Sequence, residues 1–235
     1  MQVRQLLWEI IVDTRIYLDI NHFARNTPWA HGVASVYAIY GGAVILGLLL
    51  IVAWWRARSS GQFSERVPAT IWAGAATIIA VGVAQPINHI VARIRPYYTL
   101  HHVELLVPKA HDYTFPSDHA TVAGAVICGL WLSRDRLLAW SATVVGLLLA
   151  FDRVYVGAHY PGDVLGGLCL GAVVVLVLRP PGLAILRPLA KWAASSPLWF
   201  FVAPSSQRNL REHTRETTDE NVVAPQPSSD TPLVS

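Results

Sequence analysis

Two arginines, two histidines, a serine and two aspartates gather in three short motifs. These are Arg95-Pro96, Pro116-Ser117-Asp118-His119, and Arg153-x5-His159-x3-Asp163. Each motif borders a long apolar stretch, where ionisable side chains are costly and tend to carry function. The residue types suit gripping a phosphate and breaking a P–O bond. Arg95 and Arg153 each offer a planar fork that pairs bidentately with phosphate oxygens and stays charged. Pro116 fits the first turn of a helix, so the backbone N–H groups around Ser117–His119 form an anion site, with the Ser117 hydroxyl as a further donor. His159 precedes Asp163 by four residues, a spacing that lets a carboxylate hold one imidazole N–H. The other ring nitrogen is then free to attack phosphorus and give a phosphohistidine. His119 is placed to protonate the leaving oxygen as general acid.

The elements that must position these groups read as membrane helices. The 235 residues are 53% hydrophobic and 14% charged, and the mean hydropathy is +0.40. That balance points to an all-α integral membrane bundle. Five spans are expected: Ala34–Trp55, Val67–Ala92, Ser117–Leu132, Leu137–Val156 and Val164–Leu178, the last extended at its start by Tyr160–Asp163. The stretch Leu6–Arg25 carries Glu9, Asp13, Arg15 and Asp19 among apolar residues. An amphipathic helix at the interface is favoured there over a sixth span. Residues 1–202 form the membrane domain on this reading. Residues 203–235, rich in Ser, Thr, Pro, Asn and acidic groups, form a disordered cytoplasmic tail. No short apolar core leads to a small-residue cleavage site, so no cleavable leader is expected. Cys128 and Cys169 read as packing residues within spans. The net charge of +3 is modest and no basic patch suggests nucleic acid.

Charge between spans orients the bundle. Arg56, Arg58 and Arg66, then Arg134 and Arg136, then Arg179, Arg187 and Lys191 fall in connections on one face. Excess Arg and Lys assign that face to the cytoplasm. The three motifs all fall on the opposite face, so the site is expected to be extracytoplasmic.

Simpler readings apply to the remaining polar groups. Arg93 reads as a snorkelling arginine. His22, His31, His89, His101, His102 and His111 read as ordinary polar residues near helix ends. A metal site built from His119, His159 and the aspartates is an alternative to phosphate binding, but it leaves two arginines facing a cation without purpose. No metal or cofactor is therefore expected.

With these motifs in this order, the chain resembles the type-2 phosphatidic-acid phosphatase superfamily, which also includes vanadium haloperoxidases. The family pattern is Lys-x6-Arg-Pro, Pro-Ser-Gly-His and Ser-Arg-x5-His-x3-Asp. Here it covers about Asn88 to Gly167. The resemblance implies metal-independent hydrolysis of a phosphomonoester or diphosphate. His159 would be nucleophile, His119 acid, Asp163 its partner, and Arg95, Ser117 and Arg153 phosphate ligands.

Three positions depart from the pattern: Asn88 replaces Lys, Asp118 replaces Gly and Asp152 replaces Ser. Asn88 lies two turns from Arg95 on one face and is expected to donate to phosphate, with Arg93 or Lys109 supplying the missing charge. Asp118 is counted with the phosphate site although its carboxylate repels phosphate unless turned away, protonated or paired. Asp152 is expected to buttress Arg153.

Pro-Ser-Asp-His-Ala and Arg-Val-Tyr-Val-Gly-x-His-Tyr-Pro-x-Asp-Val-Leu-Gly-Gly are similar to the bacitracin-resistance branch. That branch implies an undecaprenyl-diphosphate phosphatase, recycling the lipid carrier of cell-wall synthesis at the outer face of the bacterial plasma membrane. Its partners would be a polyprenyl diphosphate and membrane lipids. The loop Tyr97–Tyr113, with Leu105-Leu106-Val107, is a candidate contact for the prenyl chain. Alternatives are another lipid phosphate as substrate (phosphatidylglycerophosphate, phosphatidate or a prenyl-phosphoryl sugar phosphate), lipid phosphotransfer, and non-catalytic lipid-phosphate binding or transport.

Overall fold

The computed structural model describes residues 2–60 and 62–196, which form helices, turns and loops with no strand among them. The tail 203–235 lies outside the described residues. Helix α1 covers Gln2–Arg25. A 3₁₀ turn at Pro28–Ala30 leads into α2 (His31–Val36), a π turn (Tyr37–Gly41) and α3 (Gly42–Arg58). These last four run on as one 31-residue helix, Pro28–Arg58. Then come α4 (Phe63–Val91), the short α5 (Pro96–Thr99), α6 (Asp118–Leu132), α7 (Arg136–Tyr155), α8 (Pro161–Val177) and α9 (Arg179–Ser195).

Each of the five expected spans is a helix. Pro28–Arg58, Ser64–Thr99 and Arg136–Tyr155 are each long and apolar enough to cross a membrane. The α8 segment meets that test together with α9, from which it is bent by 54°. Helix α6 has 15 residues, about 22 Å at ~1.5 Å per residue, and is the short central rod. It packs on α4, α7 and α8. Ile78, Val144, Leu148, Leu165 and Leu176 are exposed around the bundle, as a hydrocarbon solvent requires of apolar residues that no protein covers. The protein is therefore a multi-pass membrane protein.

The α6–α8 contact is built on small residues. A Cβ on Gly124 would run into the Leu168 carbonyl, and one on Gly171 into the Thr121 carbonyl. Without side chains at these points the two backbones approach closely, the usual route to tight packing between membrane helices. This crossing holds the N-terminal ends of α6 and α8, and hence the second and third motifs, side by side.

The arginine-bearing connections meet at one end. Arg56 pairs with Asp135 at 2.7 Å, Arg187 with Glu65 at 2.7 Å, and Arg66 donates to the Arg134 carbonyl at 3.4 Å. Helix α9 was not expected. It packs Leu183 beside Trp72 on α4 and Ala190 beside Val67 and Ala57, so the segment beyond the last span folds back onto the bundle. Cys128 packs against the cluster around Trp72, and Cys169 is exposed on α8; both are free thiols.

At the opposite end α1 packs on α7 and α8; its 24 residues are long enough for a span but not apolar enough. Leu106 and Val107 pack beside Ala24, Tyr155, Val156 and Ala158. This part of the 97–113 loop is anchored to the ends of α1 and α7.

Candidate active site

His159 sits in the short link between α7 and α8. Gly157 starts that link with φ +80°, a left-handed value, and a Cβ there would collide with the Glu104 carbonyl. Only glycine adopts this conformation at no steric cost. The chain then turns back so that the His159 N–H reaches the Arg153 carbonyl at 3.3 Å.

The imidazole is fixed from below. Its Nδ1 lies 2.9 Å from the Thr114 carbonyl and 3.0 Å from the Thr114 hydroxyl. A carbonyl oxygen only accepts, so Nδ1 carries the proton and Nε2 keeps its lone pair. Arg95 Nη1 donates toward that Nε2 at 3.3 Å. Burial, reinforced by the positive charges of Arg153 and Arg95, holds the His159 pKa well below its usual value. The ring is thus neutral, with Nε2 unprotonated.

Asp163 does not reach His159 directly. Its Oδ2 is 4.0 Å from Nδ1, too far for a hydrogen bond. The direct i,i+4 pairing fails because α8 starts at Pro161, leaving His159 outside the helix. Asp163 is instead the third residue of α8, and its Oδ2 accepts from the Tyr160 N–H at 2.8 Å in a capping arrangement. The Thr114 hydroxyl bridges the gap, donating to Asp163 Oδ2 at 2.6 Å. Thr114 had no signal in the sequence, because an ordinary hydroxyl in a loop gains its meaning only from what it folds against. Replacing Thr114 by valine keeps the carbonyl contact but cuts the link to Asp163. We expect kcat to fall about 10-fold with KM little changed, matching the ~1–1.5 kcal/mol of one buried hydrogen bond. Steady-state kinetics of Thr114→Val checks this, and an unchanged kcat would remove Asp163 from the chain of contacts.

Arg93 spends its guanidinium on protein partners. Its Nη1 donates to Asp163 Oδ1 at 2.8 Å, its Nη2 pairs with Asp13 of α1, and its guanidinium carbon lies 4.1 Å from the Tyr160 ring centroid. Lys109 lies over the Tyr98 ring instead, 5.8 Å from its centroid. Neither residue lines the cavity that Asn88 lines.

Asn88 itself is buried, and its amide NH2 donates to the carbonyls of Tyr113 and Phe115 at 3.0 and 3.1 Å. Those two donors hold the loop that carries Thr114, while Asn88 also lines the cavity beside Arg95. Asp152 does not buttress Arg153 by a hydrogen bond, and its buried Oδ2 has no partner.

Arg95, Arg153, His119, His159, Asp118 and Asn88 line one cavity of about 220 Å³. Arg95 is engaged by Asp112 at 2.8 Å and by the Ala158 carbonyl at 3.2 Å. Asp112 is the second residue that sequence reading missed. Arg153 donates from Nη1 to the Ala38 carbonyl at 3.0 Å, and the His119 ring bonds the backbone of Ile39. Both acceptors lie in the π turn, whose widened winding is a frequent feature of functional sites. Asp118 receives the Gln85 amide at 3.2 and 3.3 Å. Its carboxylate thus has a neutral partner from α4.

Ser117 is fully buried, its N–H donates to the Asp163 carbonyl at 3.1 Å, and its Oγ has no partner. The Nε of Arg153 is likewise buried without a partner. Among the described residues no group of three or more His, Cys, Asp or Glu is arranged to hold a metal ion. His31 and His22 are ordinary polar residues, bonded to the Ala24 carbonyl and to Asn26.

A membrane helical bundle whose buried arginines converge on an unprotonated histidine nitrogen defines a class built to handle phosphoryl groups. The chain belongs to the PAP2 superfamily, whose family profile matches residues 69–180. It is similar to "Putative undecaprenyl-diphosphatase YbjG" of Escherichia coli (strain K12), with 30% identity over 188 residues, 74% of this chain and 86% of that protein. It is also similar to "Undecaprenyl-diphosphatase BcrC" of Bacillus subtilis (strain 168), with 34% identity over 132 residues, 56% of this chain. That match spans 65% of the length of the Bacillus protein, just under two thirds. The crystal structure of Aquifex aeolicus LpxE shares the fold, with a TM-score of 0.53 and 22% identity over 71% of this chain and 94% of the other.

Proposed function

We propose that the protein hydrolyses undecaprenyl diphosphate, or a polyprenyl diphosphate like it, to the monophosphate and inorganic phosphate. The observation that carries this is the His159 Nε2 lone pair facing a cavity flanked by Arg95 and Arg153. The similarity to proteins named as undecaprenyl-diphosphatases supports the substrate class.

In the first step Nε2 attacks the terminal phosphorus and the P–O bond to the lipid phosphate breaks. His119 gives its proton to the departing oxygen. In the second step the water oxygen attacks phosphorus as His119 takes a proton from that water, the P–Nε2 bond breaks with its electron pair returning to the ring, and phosphate leaves with His159 neutral again. Arg95, Arg153 and the Ser117 hydroxyl hold the equatorial oxygens, where charge builds in the transition state. The orphan donors Arg153 Nε and Ser117 Oγ are consistent with this, since buried donors ordinarily have acceptors.

A cavity of about 220 Å³ is small beside the ~300–1,000 Å³ of sites that swallow a whole organic ligand. It suits a phosphoryl group whose apolar chain stays in lipid. The arginine-rich end favours the cytoplasm, so the site belongs on the extracytoplasmic face of a bacterial plasma membrane.

The test is phosphate release by the purified protein from undecaprenyl diphosphate, phosphatidate and phosphatidylglycerophosphate. The expected outcome is a clear preference in kcat/KM for the diphosphate. Preference for either glycerolipid would reassign the substrate.

A further inference from the structure

We propose that Asp13, on the N-terminal helix α1, is a positioning residue of the His159 site, acting through Arg93 and Asp163. This rests on the reading of His159 as nucleophile. Helix α1 lies outside residues 69–180, the part matched to the family, so nothing in the shared motifs assigns it a role.

Asp13 uses both oxygens on parts of the site. Its Oδ2 pairs with Arg93 Nη2, and its Oδ1 accepts from the Gly162 N–H at 2.7 Å. Gly162 lies in the first turn of α8, between Pro161 and Asp163, so a residue 149 positions away caps the helix that carries Asp163. The space is fitted: a Cβ on Gly162 would lie 3.0 Å from Asp13 Oδ2. The same face of α1 makes two further attachments at helical spacing. Tyr17 donates to the Gly157 carbonyl at 3.2 Å, just before His159. Asn21 exchanges two hydrogen bonds with the Glu104 backbone, at 2.7 and 2.9 Å. Positions 13, 17 and 21 thus hold the start of α8, the nucleophile link and the loop against which Gly157 packs.

Two physical effects follow from Asp13. The first is orientation. Arg93 is a long side chain, and its guanidinium is held by two carboxylates and the Tyr160 ring face. Losing one carboxylate frees the fork that pairs with the fully buried Asp163. The second is charge. Asp13, Arg93 and Asp163 sum to one negative charge, behind an imidazole that becomes cationic when phosphorylated. Without Asp13 the sum is zero, and the field at His159 is left to Arg95, Arg153, His119 and the Arg93-neutralised Asp163.

The experiment uses full-length protein with Asp13→Asn, Asp13→Ala and Asp13→Glu. For Asp13→Asn the expected result is a kcat on undecaprenyl diphosphate about 10-fold below wild type, within the ~10–100-fold typical of outer-shell partners. KM should stay within about twofold, and Asp13→Glu should restore most of the rate. The deciding readout is the titration of the His159 imidazole by nitrogen NMR, which needs no turnover. Its midpoint should move to lower pH in Asp13→Asn and Asp13→Ala, because removing a negative charge disfavours the imidazolium.

An unmoved midpoint overturns the proposal whatever happens to kcat, since a helix that only braces the bundle would lower the rate without touching the titration. Failure of both neutral variants to fold also overturns it, by making Asp13 a residue of the fold alone. A wild-type protein that released no phosphate from any lipid would sink the substrate reading and leave the titration test standing.

Discussion

His159→Ala should lose at least ~10⁴-fold in phosphate release, the scale seen when a covalent nucleophile is removed from a cooperating set. Among the residues lining the cavity, His159 has a lone pair aimed inward with its other nitrogen tied down. His119, the other imidazole there, spends a ring contact on the Ile39 backbone. Arg95 and Arg153 remain in the variant, so weak phosphate binding should persist while turnover stops. Rapid quenching of the wild type with labelled diphosphate should trap an acid-labile phosphoprotein that the variant does not form. Burial and two arginines keep His159 neutral well below its ordinary range, so loss of kcat/KM through its protonation should appear only well below the usual ~6.5. A folded His159→Ala protein retaining more than about a hundredth of the activity would falsify the covalent route.

The motifs were legible because charged groups are rare in this chain, and three clusters at alternate span ends cannot converge by accident. The spans were legible because apolar length is dictated by the thickness of the bilayer. Other features depend on where the chain closes in space. Thr114 matters only because Asn88 and the Arg93 carbonyl hold its loop beneath His159. Asp13 and Arg93 are 80 residues apart, and no local spacing pairs them. The i,i+4 separation of His159 and Asp163 suggested direct contact, but Pro161 starts the helix between them and turns the carboxylate toward the Tyr160 N–H. Helix α9 contains Pro180, Pro181, Gly182 and Pro188, residue types that ordinarily disfavour a helix. Two of these prolines fall in the first turn, where a missing N–H costs nothing.

Asp163→Asn carries the second large expected effect, and it should appear in both stability and rate. The carboxylate is fully buried and accepts from Arg93, from the Thr114 hydroxyl and from the Tyr160 N–H. Asparagine has one acceptor oxygen. Two of the three donors converge on Oδ2, so that oxygen is the one it can replace, and its NH2 must then face the Arg93 guanidinium. Breaking one side of a buried ion pair typically costs ~3–5 kcal/mol. The lower end is expected here, because Arg93 keeps Asp13. The rate effect comes from charge. The Thr114 carbonyl still fixes the tautomer, so the ring stays aimed. The missing negative charge lies 4.0 Å from Nδ1, worth about 4 kcal/mol at an effective dielectric of ~20. If the cation on the phosphorylated ring is largely developed in the transition state, kcat falls about 10³-fold. Thr114→Val, which keeps that charge in place, should lose only about a hundredth as much. Measuring kcat and the thermal midpoint of both variants separates the contributions. Equal losses from the two would mean that the hydrogen-bond path through Thr114, and not the charge of Asp163, stabilises the phosphorylated histidine.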